Sequence, residues 1–216
     1  METASVANAR AHGDEGRVPA LRSVTVYAAS SRQAPAELME LARSLGWGLA
    51  ERGWTVVYGG ARIGLMGALA DAALAAGGRV EGVILDAFAR VAHSDLHELE
   101  TVTDMRSRKA GLAHRGDAYV VLPGGFGTLE ELAEILVERQ LRMHDRPLLL
   151  VDHRGFWKPL LQQVDRMVEL DLLRVHDRDV LTVVPGVRAA LDRLDAHAAA
   201  PETRGEPPRE PDKLGD

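Results

Sequence analysis

The sequence predicts an α/β fold: a single-domain, doubly wound parallel sheet of the Rossmann-like kind, with helices on both faces. Two observations carry this. Short, unbroken apolar runs recur along the chain, as expected of strands buried on both faces of a parallel sheet. Between them lie longer segments whose apolar residues repeat at helical spacing, and strand–helix alternation of this kind builds a layered α/β sandwich. With 216 residues the chain is long enough to bury one substantial core.

Taken in order, the runs at 23–30, 55–60, 79–85, 118–125 and 146–152 predict five strands. Weaker runs, LETVT at 99–103 and VLTVV at 180–184, add two more. Helices are expected over 35–52, 65–76, 105–115, 129–143, 156–170 and 187–196. In the fourth, Leu129, Leu132, Ala133, Leu136, Val137 and Leu141 form one apolar stripe. Glu130, Glu131, Glu134, Glu138 and Arg142 mostly lie off it. The domain is expected over 21–197. Residues 1–20 lack the basic-then-apolar order of a secretory signal and read as a flexible tail. Residues 198–216, rich in Pro and charge, read as a disordered one.

Composition narrows the function classes. The 26 basic and 32 acidic residues leave a net charge of −6, which argues against non-specific nucleic-acid binding. The absence of cysteine excludes disulfides, thiolate metal sites and a cysteine nucleophile, and agrees with a cytoplasmic location. No apolar run approaches the roughly 20 residues that span a bilayer, so no membrane partner is expected.

In doubly wound sheets ligands bind beyond the carboxyl ends of the strands, so the loops after strands hold the candidates. The first, AASSRQ at 28–33, offers Ser30 and Ser31 either to a phosphate or as caps for the next helix. The second, YGGARIGLMG at 58–67, has Gly59 and Gly64 at phosphate-loop spacing. Leu65 and Met66, however, stand where that loop needs Lys and Ser or Thr. The third, LPGGFGTLEE at 122–131, begins like a dinucleotide fingerprint at Gly125 and Gly127 but places Glu130 at the third glycine. Glycines there let a backbone approach an anion, and a helix N-terminus supplies free N–H groups. Thr128 with Glu131 also has capping-box spacing, so a cap and a catalytic carboxylate are both open for Glu131.

LPGGFGTLEE resembles the PGGxGTxxE signature of the LOG (lonely guy) family of cytokinin riboside 5'-monophosphate phosphoribohydrolases, once widely mislabelled lysine decarboxylases. VYGGARIGLMG is similar to the family's VYGGGxxGLMG loop, and DMRSRKAGLAHRGDAYVVLPGG to its M-x-x-RK helix leading into the signature strand. The resemblance covers nearly all of the predicted domain. It implies hydrolysis of a nucleoside 5'-monophosphate to free base and ribose 5-phosphate, without a cofactor, by a homodimer or larger homo-oligomer. It implies catalytic roles for Glu131 and Arg108. Substrate contacts are implied at Ser30, Gly59, Gly60, Met66, Met105, Lys109, Gly124, Gly125, Gly127 and Thr128. The chemistry suits the loop: cleaving a ribosyl C–N bond builds positive charge on the sugar, which a carboxylate stabilises, while the glycines hold the phosphate.

The chain departs from the family pattern at Ala29, Ala61, Asp86 and the Gly111–Leu112 pair, and at Arg142, where a glycine often stands. These departures bear on the base pocket and the dimer surface rather than on the reaction. Two histidines, His93 and His97, lie near Asp95 and Glu98, but ligand spacing alone is weak support for a metal, and none is expected. His144 reads as a favourable charge near a helix end. No nucleophile elbow or pyridoxal lysine is recognisable. The alternative function is a non-hydrolytic carrier of a phosphorylated cofactor, similar to molybdenum-cofactor carriers. The pairing of Arg108 and Lys109 with Glu131 argues for the hydrolase.

Overall fold

The computed structural model describes residues 21–200. The expected tails, apart from 198–200, lie outside the described residues. Strands β1 (Ser23–Tyr27), β2 (Thr55–Tyr58), β3 (Val80–Leu85), β4 (Glu98–Val102), β5 (Ala118–Val121), β6 (Leu148–Val151) and β7 (Thr182–Val184) make one sheet. Its order is β4-β3-β2-β1-β5-β6-β7, and every pairing is parallel. The two weak runs are the two edge strands, β4 and β7. An edge strand is only partly covered, so its sequence need not be apolar at every position, and that is why its signal is faint.

Helices α1 (Ala36–Glu51), α2 (Gly64–Ala75) and α7 (Val187–Ala199) cover one face of the sheet. Helices α3 (Met105–Arg115), α4 (Phe126–Gln140) and α5 (Lys158–Glu169) lie on the other. A short helix α6 (Val175–Arg178) and a 3-10 segment over Asp86–Val91 complete the chain. The first face buries Leu45, Leu49, Leu65 and Leu69; the second buries Leu112, Leu132 and Ile135. Each such side chain contributes roughly 1.5–3 kcal/mol. No helix among the described residues is long and apolar enough to cross a membrane.

Several boundaries differ from expectation. β1 stops at Tyr27 and β5 at Val121, short of 30 and 125, and Pro123 has no amide with which to extend the ladder. α4 starts at Phe126, three residues early, because Phe126, Gly127 and Thr128 already form its first turn. α7 continues to Ala199, past the expected helix end at 196. His144 is not a helix-end charge. It is half-buried, with its ring 5.3 Å from that of Tyr119. Burial, with Arg139 and Arg146 nearby, pulls its pKa below the ordinary imidazole value, so it is neutral at physiological pH.

α4 ends at 140, where Arg142 adopts φ 59°, in the left-handed region. The Arg142 amide donates to the Arg139 carbonyl at 3.0 Å and the Met143 amide to the Glu138 carbonyl at 2.9 Å, a Schellman closure. A side chain is strained there, whereas glycine adopts this backbone without that cost. Arg142→Gly therefore stabilises the protein by about 1 kcal/mol, a gain read as a higher midpoint in chemical denaturation.

Candidate active site

The chain leaves β1 toward β2, β3 and β4, then returns to β5 on the other side of β1. The strand order reverses at that point, and there a doubly wound sheet opens a crevice. Three loops follow the strands around it: the serine-bearing 28–33 after β1, and the glycine-bearing 59–63 after β2 and 122–125 after β5.

The helix N-termini at this crevice are not equivalent. α3 is closed by Asp104, whose carboxylate accepts from the Ser107 amide at 2.9 Å. At α2 the Met66 amide donates to the Ala29 carbonyl at 3.3 Å, so its first turn already has a backbone partner. This contact brings the β1 loop onto Gly64, where a Cβ would strike the backbone of Ala29, Ser30 and Ser31. At α4 the N-cap is Gly125, and no side chain caps it. The amides of its first turn lack intrahelical partners. Added Cβ atoms at Gly125 and Gly127 would meet nothing, so both open onto free space. An anion is accommodated there by the amides and by the positive end of the helix.

Thr128 is buried, and its side chain fills the space where Gly124 would carry a Cβ. It is the third helical residue and not the cap, so the capping box between Thr128 and Glu131 does not form. Glu131 looks elsewhere. Its carboxylate accepts a hydrogen bond from Arg108 Nη1 at 2.8 Å, with side-chain exposures of only 9% and 12% for the pair. Gly59, at the end of β2, makes room for this contact: a Cβ there would collide with the Arg108 guanidinium and the Met66 methyl group. The second loop is thus tied to the third through Arg108.

Burial raises the pKa of Glu131 above the usual carboxylate value. Arg108 opposes the rise, and Glu130 and Glu134 add to it. Glu131 lies five residues beyond Phe126, about 7.5 Å along the helix.

The structure thus gathers Arg108, Glu131, Gly59 and Met66 into one contact set, with Gly124, Gly125, Gly127 and Thr128 as the adjoining loop. Met105, partly exposed, sits one turn before Arg108 on the same face of α3. Ser30 is exposed beside the loop. Neither it nor Ser31 caps α1, which follows Pro35 without a side-chain cap. Gly60 turns toward Ile84 and Leu99, and its carbonyl accepts from the His93 amide at 2.9 Å. Lys109 reaches Glu130 at 3.1 Å and Glu134 at 3.2 Å.

Glu134 and Tyr27 escape the sequence reading. Glu134 is signalled by its spacing, four residues after Glu130 on the helix that faces the Arg108–Lys109 pair. Tyr27 ends β1, and the charge of Glu131 helps to raise its phenol pKa after burial, which dominates. His93 and His97 serve the scaffold: His93 Nε2 lies 3.0 Å from Asp71, and His97 Nδ1 accepts from the Val80 amide. Among the described residues no group of three or more His, Asp or Glu is gathered as a metal site.

A parallel sheet with an open helix N-terminus beside a buried guanidinium–carboxylate pair at its switch point defines a Rossmann-like protein with a site for a phosphorylated ligand. A family model described as "possible lysine decarboxylase" matches residues 66–194. A cytokinin riboside 5'-monophosphate phosphoribohydrolase of Rhodococcoides fascians is 38% identical over 176 residues, covering 80% of this chain and 89% of that protein. The chain belongs to this family, the LOG phosphoribohydrolases. A Mycobacterium tuberculosis protein of the same name is 39% identical over 171 residues, 78% of this chain and 91% of that protein. Among solved structures, the molybdenum cofactor binding protein of Rippkaea orientalis superposes with a TM-score of 0.63. At 20% identity, covering 82% of this chain and 97% of that one, the likeness is one of fold alone.

The pKa of Glu131 is higher in the folded chain than in the unfolded one, so the unfolded state releases its proton first as pH rises. Its contribution to stability therefore falls from the ordinary carboxylate range upward through the folded value. As pH rises from the ordinary carboxylate range through the folded value, the protein should lose stability relative to Glu131→Gln, as measured by paired denaturation curves.

Proposed function

We propose that this protein hydrolyses the N-glycosidic bond of a nucleoside 5'-monophosphate, a cytokinin riboside 5'-monophosphate or an AMP-like nucleotide, to free base and ribose 5-phosphate. The observation that carries the reading is the buried Arg108–Glu131 pair beside the uncapped N-terminus of α4. The phosphate binds on Gly124, Gly125, Gly127 and Thr128, where its oxygens accept hydrogen bonds from the first-turn amides. Ser30, Gly59, Gly60, Met66 and Met105 line the rest of the crevice toward ribose and base.

As the C–N bond breaks, its electron pair leaves with the base and positive charge grows on the sugar. The Glu131 carboxylate faces that charge and takes a proton from the water whose oxygen bonds to the anomeric carbon. The departing base nitrogen gains a proton from solvent. A raised pKa brings Glu131 nearer to the working pH, where a carboxylate is an effective base. Arg108 draws Glu131 toward its ionised form and orients it. A guanidinium is too weak an acid to donate the proton itself. The chemistry draws on side chains and water, with no cofactor.

The test is to incubate the purified protein with AMP, isopentenyladenosine monophosphate, CMP and GMP and to follow base and ribose 5-phosphate by chromatography. Release from at least one is expected, and Glu131→Ala should lower kcat by about a hundredfold or more while phosphate-dependent binding persists. Full activity in that variant overturns the mechanism. Tight binding without release from any nucleotide replaces the hydrolase with a carrier.

The reading extends to a cytoplasmic location and to a homodimer. α5 has an apolar stripe but no buried residue. Beside it Val137, Leu141, Leu172 and Val175 are 51%, 65%, 75% and 65% exposed. The end of α4 and α6 are joined by Gln140 and Asp177 at 3.1 Å, which makes this surface continuous. Apolar patches of this kind mark association surfaces, and the occupant proposed is a second copy of the chain. Sedimentation should give twice the chain mass for the protein and the single chain mass for a Leu172→Asp/Val175→Asp variant.

A further inference from the structure

We infer that Lys109 is a positioning residue: its ammonium, set between Glu130 and Glu134, fixes the face that α4 turns toward α3 and so sets the orientation and charge of Glu131. The inference deepens the hydrolase reading and rests on it for its kinetic readout. Lys109 Nζ lies 3.1 Å from Glu130 Oε1 and 3.2 Å from Glu134 Oε2, and the lysine side chain is only 18% exposed. Glu130 and Glu134 stand one turn apart, one above the other on α4. A cation between them grips a whole helical turn, and Glu131 lies within that turn.

Arg108, the preceding residue of α3, holds Glu131 itself at 2.8 Å. Successive residues of an α-helix project about 100° apart, so Arg108 and Lys109 reach α4 from two directions. Together with the buried Leu132 and Ile135, the two contacts fix which residues of α4 meet α3. The three glutamates at 130, 131 and 134 meet two cations, and two of the three ammonium protons of Lys109 are committed to carboxylates of the protein.

The electrostatics point the same way. The charged and titratable groups acting on Glu131 are Arg108 from α3, Glu130 and Glu134 from α4, and Tyr27 from β1, while Lys109 from α3 meets Glu130 and Glu134. Burial pushes the Glu131 carboxyl up, Arg108 pulls it back, and the negative charges of Glu130 and Glu134 push it up again. Lys109 offsets those two charges. Its own pKa is held above the ordinary lysine value, first by the hydrogen bond to Glu130, so it remains charged throughout the working range. A neutral residue at 109 would leave two uncompensated carboxylates flanking Glu131. It would then hold its proton to higher pH, and the carboxylate form needed as base would be scarcer.

The experiment compares Lys109→Met, Lys109→Arg and the triple variant Lys109→Met/Glu130→Gln/Glu134→Gln in the full chain. It reads steady-state kinetics across pH and, separately, the carbon NMR titration of the Glu131 carboxyl. Lys109→Met should lower kcat about ten- to a hundredfold, with KM changed less than about threefold. The acid limb of kcat/KM and the Glu131 titration should both move to higher pH. Lys109→Arg should restore both. The triple variant has no charge left to offset, so it should return the titration toward that of the unmodified protein, while kcat stays low because α4 has lost the same ammonium contact. A rise in KM with kcat preserved would mark Lys109 as a substrate contact and overturn the inference. So would an unshifted Glu131 titration in folded Lys109→Met, or a triple variant whose Glu131 titration stays where that of Lys109→Met lies. If the unmodified protein releases no base but Glu131 still shifts in Lys109→Met, the hydrolase reading fails and the positioning role stands.

Discussion

The 2.8 Å contact between Arg108 and Glu131 is the interaction on which the functional half of this fold is organised. Two opposite charges are withdrawn from water, and such a pair is tolerated only with good geometry around it. Much of the local architecture serves that geometry. Gly59 omits a side chain so that the guanidinium can pass over the end of β2. Arg115, at the other end of α3, is tied to Glu81, Glu98 and Glu100, which anchors that helix on β3 and β4 and holds Arg108 in place. Burial still outweighs the attraction of Arg108, since the pKa of Glu131 stays raised. The pair costs stability in order to keep a carboxylate dry and poised, and such conflicts between local rules and function belong at active sites.

The neighbouring loop resolves the tension in its own sequence. A glycine-rich turn before a helix suits an anion, yet this one is followed by carboxylates. The helix separates them: its first turn is uncapped and open, and Glu131 sits a turn and a half deeper, buried against Arg108. Negative charge is welcome at the end of the helix, and positive charge beside the carboxylate. A sugar phosphate losing its base presents those two charges in that order. Membership of the LOG family is the counterpart of this arrangement in sequence.

Three of the departures from the family pattern lie in the scaffold. Arg142 takes a left-handed backbone that glycine adopts without strain. Ala61 is buried and forms an antiparallel bridge with Ala92, pinning the 86–97 segment beside the second loop. Gly111 lies against Val83, where a Cβ would be 3.3 Å from the valine methyl group. None of these touches the Arg108–Glu131 pair. Chemistry and surroundings are thereby separable in this chain.

The amino-acid sequence alone determined the fold class, the buried strands and the signature loop, because each is written in local periodicity or in contiguous residues. It also brought out Glu131 and Arg108 as a candidate pair, through the resemblance rather than through spacing. Only the tertiary structure decided whether Glu131 caps a helix or faces a cation. The answer depended on where α4 begins and on what α3 places opposite it, and those residues lie 23 positions apart. The edge strands β4 and β7 were faint for a related reason: half-exposed segments are held by their neighbours in the sheet rather than by their own pattern. The commitment of Lys109 to Glu130 and Glu134, and of His93 to Asp71, were likewise invisible in one dimension. Periodicity reports what a residue is buried in; it carries no information about which partner waits there.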